Sequence, residues 1–287
     1  MKSGICAIGD NVVDRYLESQ EMFPGGNAVN VAVHAKRNGI RSAYIGVIGT
    51  DTAAQLVAQS LRDENVLTSH MRVVEGPNAW AAVSHKNGDR YFLGSDKGVS
   101  KFKLNDSDYE YLSEFEIAHI GYSGGMEEQL AEISKSTQIS YDFADKSRSY
   151  VVPLIKYCTI ATFSIGEQNL EVADEIIEFA LSNNVDTILV TRGKSGAVVA
   201  DKKGKTILAA KQIEAIDTLG AGDAFIAAYL AARLKKIPRD EAIISAVNYS
   251  AEVCLQHGAY GYRSMDNLPK IDSQKLQDSS KPTWVNQ

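Results

Sequence analysis

Residues 217–224, Asp-Thr-Leu-Gly-Ala-Gly-Asp-Ala, run directly into a strongly apolar stretch, rich in Ala and Leu, that ends at Leu234. Such a stretch suits a buried helix. Gly220, Ala221 and Gly222 have little or no side chain to hold a ligand away from the backbone. A Gly-rich turn that opens a helix leaves several backbone N–H groups unpaired and aimed at one point. That arrangement binds phosphate and can stabilise the charge on a phosphoryl group in transit. Asp223 stands at the lip, where a carboxylate can take a proton from an attacking hydroxyl. The plainer alternative is a turn that merely caps a helix, with an aspartate at its start. Two aspartates six positions apart around the glycines, and a second motif far upstream, favour the chemical reading.

The second motif is Pro24-Gly-Gly-Asn-Ala-Val-Asn-Val-Ala-Val33. Gly25 and Gly26 open a predicted helix over residues 27–38 that stops at Gly39, a C-terminal cap signal. Asn27 and Asn30 are three apart and share a face of its first turn. Their amides both donate and accept, which suits sugar hydroxyls. The alternative is an N-cap at Asn27 and a solvated Asn30.

Between and beyond these motifs the pattern alternates. Strands are expected at 4–8, 43–48, 116–120, 139–143, 159–164 and 187–191. Helices are expected at 52–65, near 127–137 and at 169–182. This predicts a largely parallel sheet with helices on both faces. Gly9-Asp10, Gly49 to Asp51 and Thr191-Arg192-Gly193 fall at carboxyl ends of strands, where open α/β sheets bind ligands. Residues 12–23 and 79–93 read instead as antiparallel strands, the second containing the hairpin turn Asn87-Gly-Asp89.

Composition narrows the class. The chain has 287 residues, 44% hydrophobic and 23% charged, with net charge −6 and no basic block. Nucleic acid is an unfavourable partner on that balance. No apolar run reaches membrane-spanning length. The N-terminus lacks the long apolar core of a signal peptide, so a cytoplasmic location is expected. Cys6, Cys158 and Cys254 show no metal spacing and read as buried small apolar residues. There is no Gly-x-x-x-x-Gly-Lys-[Ser/Thr] and no Gly-x-Gly-x-x-Gly after the first strand, which disfavours P-loop and dinucleotide chemistry. The five histidines form no metal-ligand pair at helical spacing.

Gly25-Gly26-Asn27 with Asn30, and Asp217-Thr-x-Gly-Ala-Gly-Asp223, resemble the two signatures of the PfkB (ribokinase-like) carbohydrate kinases. The order and separation of the motifs also fit, and the resemblance spans essentially the whole chain. Ile8-Gly-Asp-Asn-Val-Val-Asp14, residues 23–33 and Tyr141-Asp-Phe-Ala-Asp-Lys146 are most similar to the fructoselysine 6-kinase branch.

The resemblance implies a single ribokinase-like three-layer α/β/α domain over residues 1–287. Its central sheet would be mainly parallel, with a small β lid whose strands lie within 12–23 and 79–98. It implies ATP and Mg²⁺ as cosubstrate and cofactor, and a small sugar as acceptor, fructoselysine or a related fructosamine at its 6-hydroxyl. Asp223 matches the general base, and Gly220, Ala221 and Gly222 the anion hole. Asp14, Gly25, Gly26, Asn27 and Asn30 match sugar-binding positions. Ribokinases often carry Lys where this chain has Asn27, which suggests a sugar other than ribose. An amine-bearing sugar would favour a carboxylate-lined mouth, with Asp10, Asp14 and Asp96 as candidates.

Ser164-Ile-Gly-Glu167 aligns with an Asn-x-x-Glu that organises Mg²⁺ through water. Glu167 is kept, while Ser164 replaces the Asn and weakens that assignment. Thr191, Gly193 and Gly196 match a nucleotide loop, with Arg192 and Lys194 beside it. Asn248 and Gly258 fall where relatives line the adenine pocket, and Asp217 where several relatives bind K⁺. In many relatives the lid is also a homodimer interface. Alternatives are a kinase for another sugar or a nucleoside, or a non-catalytic sugar or nucleotide sensor on the same fold.

Overall fold

The computed structural model describes residues 2–86 and 89–271. The expected hairpin turn at Asn87 and Gly88 therefore lies outside the described residues. The chain begins with β1 (Ile5–Ile8), β2 (Val12–Tyr16), β3 (Glu21–Gly25) and α1 (Asn27–Arg37). Next come β4 (Ser42–Ile48), α2 (Thr52–Asp63), β5 (Met71–Val73), β6 (Trp80–Lys86) and β7 (Asp89–Asp96). The middle holds α3 (Asp106–Leu112), β8 (Ile117–Gly121), α4 (Leu130–Ser136), β9 (Gln138–Asp142), α5 (Arg148–Val151) and β10 (Ile160–Ser164). It closes with α6 (Leu170–Ser182), β11 (Thr187–Thr191), β12 (Ala197–Asp201), β13 (Gly204–Leu208), α7 (Ala221–Leu234), α8 (Arg239–Val253) and β14 (Ser264–Met265).

Among the described residues, nine strands form one sheet in the order β13-β12-β11-β10-β9-β8-β1-β4-β5. Its pairs are parallel from β11 through to β5, and β12 and β13 add an antiparallel edge. Alternation along β1 shows how the layers arise. Ile5 packs in a cluster with α1, α7 and α8, and Ala7 in one with α1 and α2. Cys6 and Ile8 point the other way, into a cluster with α3, α4 and α6. The sheet is thus covered on both faces, as the run of wholly buried residues in β1, β4 and β8 requires.

A second sheet has the order β14-β3-β2-β6-β7. Its composition bears out the two antiparallel hairpins and corrects their limits. The hairpins β2–β3 and β6–β7 are antiparallel, but β2 and β6 join them as a parallel pair. The sheet also extends past the expected limits: β3 runs to Gly25, and β14 adds an edge strand from near the C-terminus. Asp266, beyond β14, forms a 2.7 Å ion pair with the buried Arg15 of β2. No helix among the described residues is long and apolar enough to cross a membrane.

Candidate active site

The parallel strands deliver chemistry-bearing residues to their carboxyl ends. Asp10 follows β1, Asp142 closes β9, Ser164 closes β10 and Thr191 closes β11. Two helices begin over this edge. Gly26 is the N-cap of α1 at φ 104°, and Gly220 the N-cap of α7 at φ 75°. Both conformations favour glycine. A Cβ on Gly220 would also come within 2.5 Å of Ala259 Cβ.

Asp223, in the first turn of α7, meets both predicted asparagines. Asn27 Nδ2 donates to its Oδ1 at 2.8 Å, and Asn30 Nδ2 to its Oδ2 at 2.7 Å. The helix spacing that put the two amides on one face therefore clasps a single carboxylate. Asn30 is buried, and its Oδ1 has no partner among the described residues. A buried orphan acceptor beside a carboxylate suits a hydroxyl-bearing ligand.

The second hydrogen of the Asn27 amide goes to Asp142 Oδ2 at 2.9 Å. Asp142 Oδ1 accepts from the backbone N–H of Ala144 at 2.8 Å. Asp10 sits on the other side of Asn27 and caps α1, accepting from the N–H groups of Asn27 and Ala28 at 3.0 and 3.2 Å. Three carboxylates thus surround one asparagine. Burial pushes Asp223 up to about 8, with the Asp142 and Asp10 charges adding to the rise against the Asn30 and Asn27 hydrogen bonds. Burial likewise raises Asp142 to about 6. Asp223 as a whole residue is half-buried, while its carboxyl end sits in the buried network.

His119 orients this network from below. Burial lowers its pKa to about 3, so the ring is neutral. Asn27 Oδ1 can only accept, so His119 Nε2 donates to it at 3.0 Å and Nδ1 accepts a hydrogen bond from the Ser140 hydroxyl at 3.1 Å. Gly121 keeps the approach to Asn27 Oδ1 open, because a Cβ there would collide with that oxygen.

The turn expected to cradle an anion opens α7. The N–H groups of Gly222 and Asp223 precede the first intrahelical bond, which runs from Ala224 N to Gly220 O at 2.8 Å. A Cβ placed on Gly222 meets nothing within 4 Å, so the surface above it is open. The Ser250 hydroxyl of α8 donates to Ala221 O at 2.7 Å and braces the turn.

The other expected positions sort as follows. Asp14 is buried on β2, with its carboxylate lying over Gly25 of β3. Ser164 and Thr191 share a hydroxyl–hydroxyl hydrogen bond of 2.9 Å. Arg192 Nη2 donates to Gln168 O at 3.2 Å, and its buried Nε has no partner among the described residues. Gly193 and Gly196 flank a short turn at φ 52° and 93°, between β11 and β12. Glu167 and Asn248 are exposed. Gly258 is buried against the Phe23 ring, where a Cβ would approach to 2.6 Å, and its N–H donates to Asp217. That position braces the lid; it is not open toward a ligand. Asp96 accepts from Gly98 N at 3.0 Å in a turn after β7.

Sequence reasoning missed His119, Gly121 and Tyr16, and named Asp142 only within the stretch 141–146. The local sequence carries no signal for His119 or Tyr16, because their partners lie 92 and 201 residues away.

The strand ends of a nine-stranded α/β core thus gather carboxylates beside a Gly-rich helix start, with a second, smaller β sheet next to them. The model of the pfkB family of carbohydrate kinases matches residues 5–264, and the chain belongs to that family. It is therefore an ATP-dependent sugar phosphotransferase.

Among curated relatives, the fructosamine kinase FrlD of Bacillus subtilis (strain 168) is 34% identical over 266 residues, covering 90% of this chain and 93% of that protein. The fructoselysine 6-kinase of Escherichia coli (strain K12) is 30% identical, covering 89% and 99%. Among solved structures, Arabidopsis thaliana ribokinase complexed with ribose and ATP superposes with a TM-score of 0.77 at 17% identity, covering 97% of this chain and 96% of that one. A putative ribokinase II from E. coli in complex with ATP and Mg²⁺ gives 0.75 at 20% identity, covering 90% and 94%. The fold is ribokinase-like, with the smaller sheet as its lid.

Proposed function

We propose that the chain, acting as one kinase unit of core and lid, transfers the γ-phosphoryl group of ATP to a hydroxyl of a fructosamine-type sugar. Fructoselysine at its 6-hydroxyl is the leading acceptor. The observation that carries this reading is the Asp223 carboxyl group held between Asn27 and Asn30 at the opening of α7.

The sugar lies between the lid strand carrying Asp14 and the first turn of α1. Asn30 Oδ1 accepts from one of its hydroxyls. Asp223 takes the proton of the attacking hydroxyl as its oxygen bonds to the γ-phosphorus. The bond from phosphorus to the bridging oxygen breaks, and ADP leaves with that electron pair. Phosphoryl transfer depends chiefly on positioning and charge stabilisation. The N–H groups of Gly222 and Asp223, in the turn formed by Gly220 and Ala221, supply the latter at the moving phosphoryl group.

Among the described residues, no group of three or more His, Cys, Asp and Glu side chains is arranged to hold a metal. Mg²⁺ characteristically enters such sites on the phosphates and keeps several waters. The exposed Glu167 suits that outer role, and bound Mg²⁺ would neutralise triphosphate charge. Thr191, Gly193 and Gly196 belong to the nucleotide side, where the unsatisfied Arg192 Nε suits a phosphate oxygen. Asn248 belongs there as well.

Asp10, Asp142 and Asp223 favour a cationic acceptor. The protonated secondary amine of a fructosamine, at the far end of the sugar from the 6-hydroxyl, would offset this negative charge across the cleft, whereas fructose or ribose would not. A lid-to-lid homodimer is the assembly this reading favours, and light scattering on the purified protein tests it.

The deciding assay supplies Mg-ATP with fructoselysine, fructose, ribose and a nucleoside, and measures ADP. Fructoselysine is expected to give the highest kcat/KM. A stronger response to a neutral sugar would replace the acceptor. Binding without turnover on any sugar would favour the sensor.

A further inference from the structure

Asp217 opens the anion-binding turn and is buried, at 4% exposure. Its carboxylate needs a counter-charge or several hydrogen bonds to the charged form. Three donors from three separate segments meet it. Leu219 N–H donates to Oδ1 at 2.9 Å, within the turn itself. Gly258 N–H donates to Oδ2 at 2.9 Å, from the loop after α8. The Tyr16 hydroxyl donates to the same Oδ2, from the last residue of β2 in the lid.

The Tyr16 contact is built into the packing. Tyr16 is buried and lies edge-on to Phe23, with ring centroids 5.0 Å apart. Phe23 in turn fills the space beside Gly258. Tyr16 also stands two residues beyond Asp14, so both side chains leave the same face of β2. One face of a single lid strand therefore carries the sugar-side aspartate and the tie to the anion-binding turn.

A monovalent-cation role for Asp217 fits this arrangement poorly. The two hydrogens directed at Oδ2 present positive charge where a cation would have to sit. We propose that the Tyr16 hydroxyl does at this carboxylate what a bound monovalent cation would do, and that the kinase is consequently independent of K⁺. Tyr16 is then a positioning residue: through Asp217 it holds Leu219 and Gly220, and with them the start of α7. The proposal rests on the kinase assignment and not on the choice of sugar.

The test compares wild type and Tyr16→Phe in potassium, in sodium and in a bulky organic cation alone. Wild type is expected to show equal kcat and equal melting temperature in all three. Tyr16→Phe is expected to lose roughly tenfold in kcat in the organic cation, the scale for losing one hydrogen bond to a charged group. Potassium should restore most of that loss and raise the variant's melting temperature selectively. A purely structural tyrosine would give a loss that no cation repairs, and that result overturns the proposal. So does potassium activation of wild type by about fivefold or more, the lower range of ordinary coupling between sites. If Tyr16→Phe folds poorly, its melting temperature with and without potassium still decides. The wild-type melting comparison needs no turnover, so a wrong acceptor would leave it intact.

Discussion

Asp142 and Asp223 accept hydrogen bonds from the same nitrogen, Asn27 Nδ2, at 2.9 and 2.8 Å. Two carboxyl groups sharing one amide cannot both carry full charge cheaply, and the pair with Asp10 nearby keeps a proton that isolated carboxylates would release. The base in the proposed reaction is therefore tuned by a residue that need not touch the sugar.

Replacing Asp223 by Asn should lower kcat by about 10²- to 10⁴-fold, the usual contribution of a general base. ATP binding should persist, because the cradle is backbone. The same variant should be more stable than wild type in mild alkali. Asp223 is raised from its ordinary value of 3.8 to about 8, so between these limits the folded state binds more protons than the unfolded one. Stability conferred by the protonated group is therefore lost as pH climbs toward 8. Asp223→Asn removes that loss, and its melting temperature should exceed wild type at pH 8 by more than at pH 5. Identical differences at both pH values would refute the assigned shift.

Wild-type kcat/KM with a neutral sugar should rise with pH along a limb near 8, as Asp223 releases its proton. Asp142→Asn deletes one of the charges that raise Asp223. The limb should move toward acid by roughly one pH unit, the scale of a nearby like charge. A limb that stays in place while kcat falls would make Asp142 merely structural.

If the acceptor carries a protonated amine close to the three carboxylates, it should itself pull Asp223 down. The limb in kcat for fructoselysine, which reports the bound complex, should then lie at lower pH than the limb for fructose. Coincident limbs would argue that the amine points away from Asp10 and Asp142.

Two glycines of one turn should fail in different ways. Gly222→Ala adds a methyl into open space, so its melting temperature should match wild type. The methyl would cover the cradle, and kcat/KM for ATP should fall by about tenfold or more. Gly220→Ala meets both a left-handed backbone and Ala259, and should cost roughly 1–3 kcal/mol in stability, measured by denaturant unfolding.

Much of this site was legible because its signals are local. Helix spacing alone put Asn27 and Asn30 together, and the glycines at 220 and 222 announced the turn that opens α7. The parallel strands were equally legible as short apolar runs. His119 and Tyr16 were not, because their roles depend on partners supplied by the fold across 92 and 201 residues. The parallel joining of β2 to β6 has the same cause: hairpin signals report the turn within each pair and say nothing about how two hairpins meet. β14 escaped notice because two residues carry no periodicity, and its pairing is set by the neighbouring Arg15–Asp266 contact as much as by its own side chains.

The lid sheet is woven from β2 and β3, β6 and β7, and the edge strand β14; Tyr16 pins it to the core, and Arg15 ties it to the C-terminal segment. It is not a cassette. Transplanting one hairpin from another sugar kinase would import half a weave and cut the thread that reaches the phosphate turn. Altering acceptor preference in this scaffold means redesigning the strands in place, together with the C-terminal segment that hems their edge.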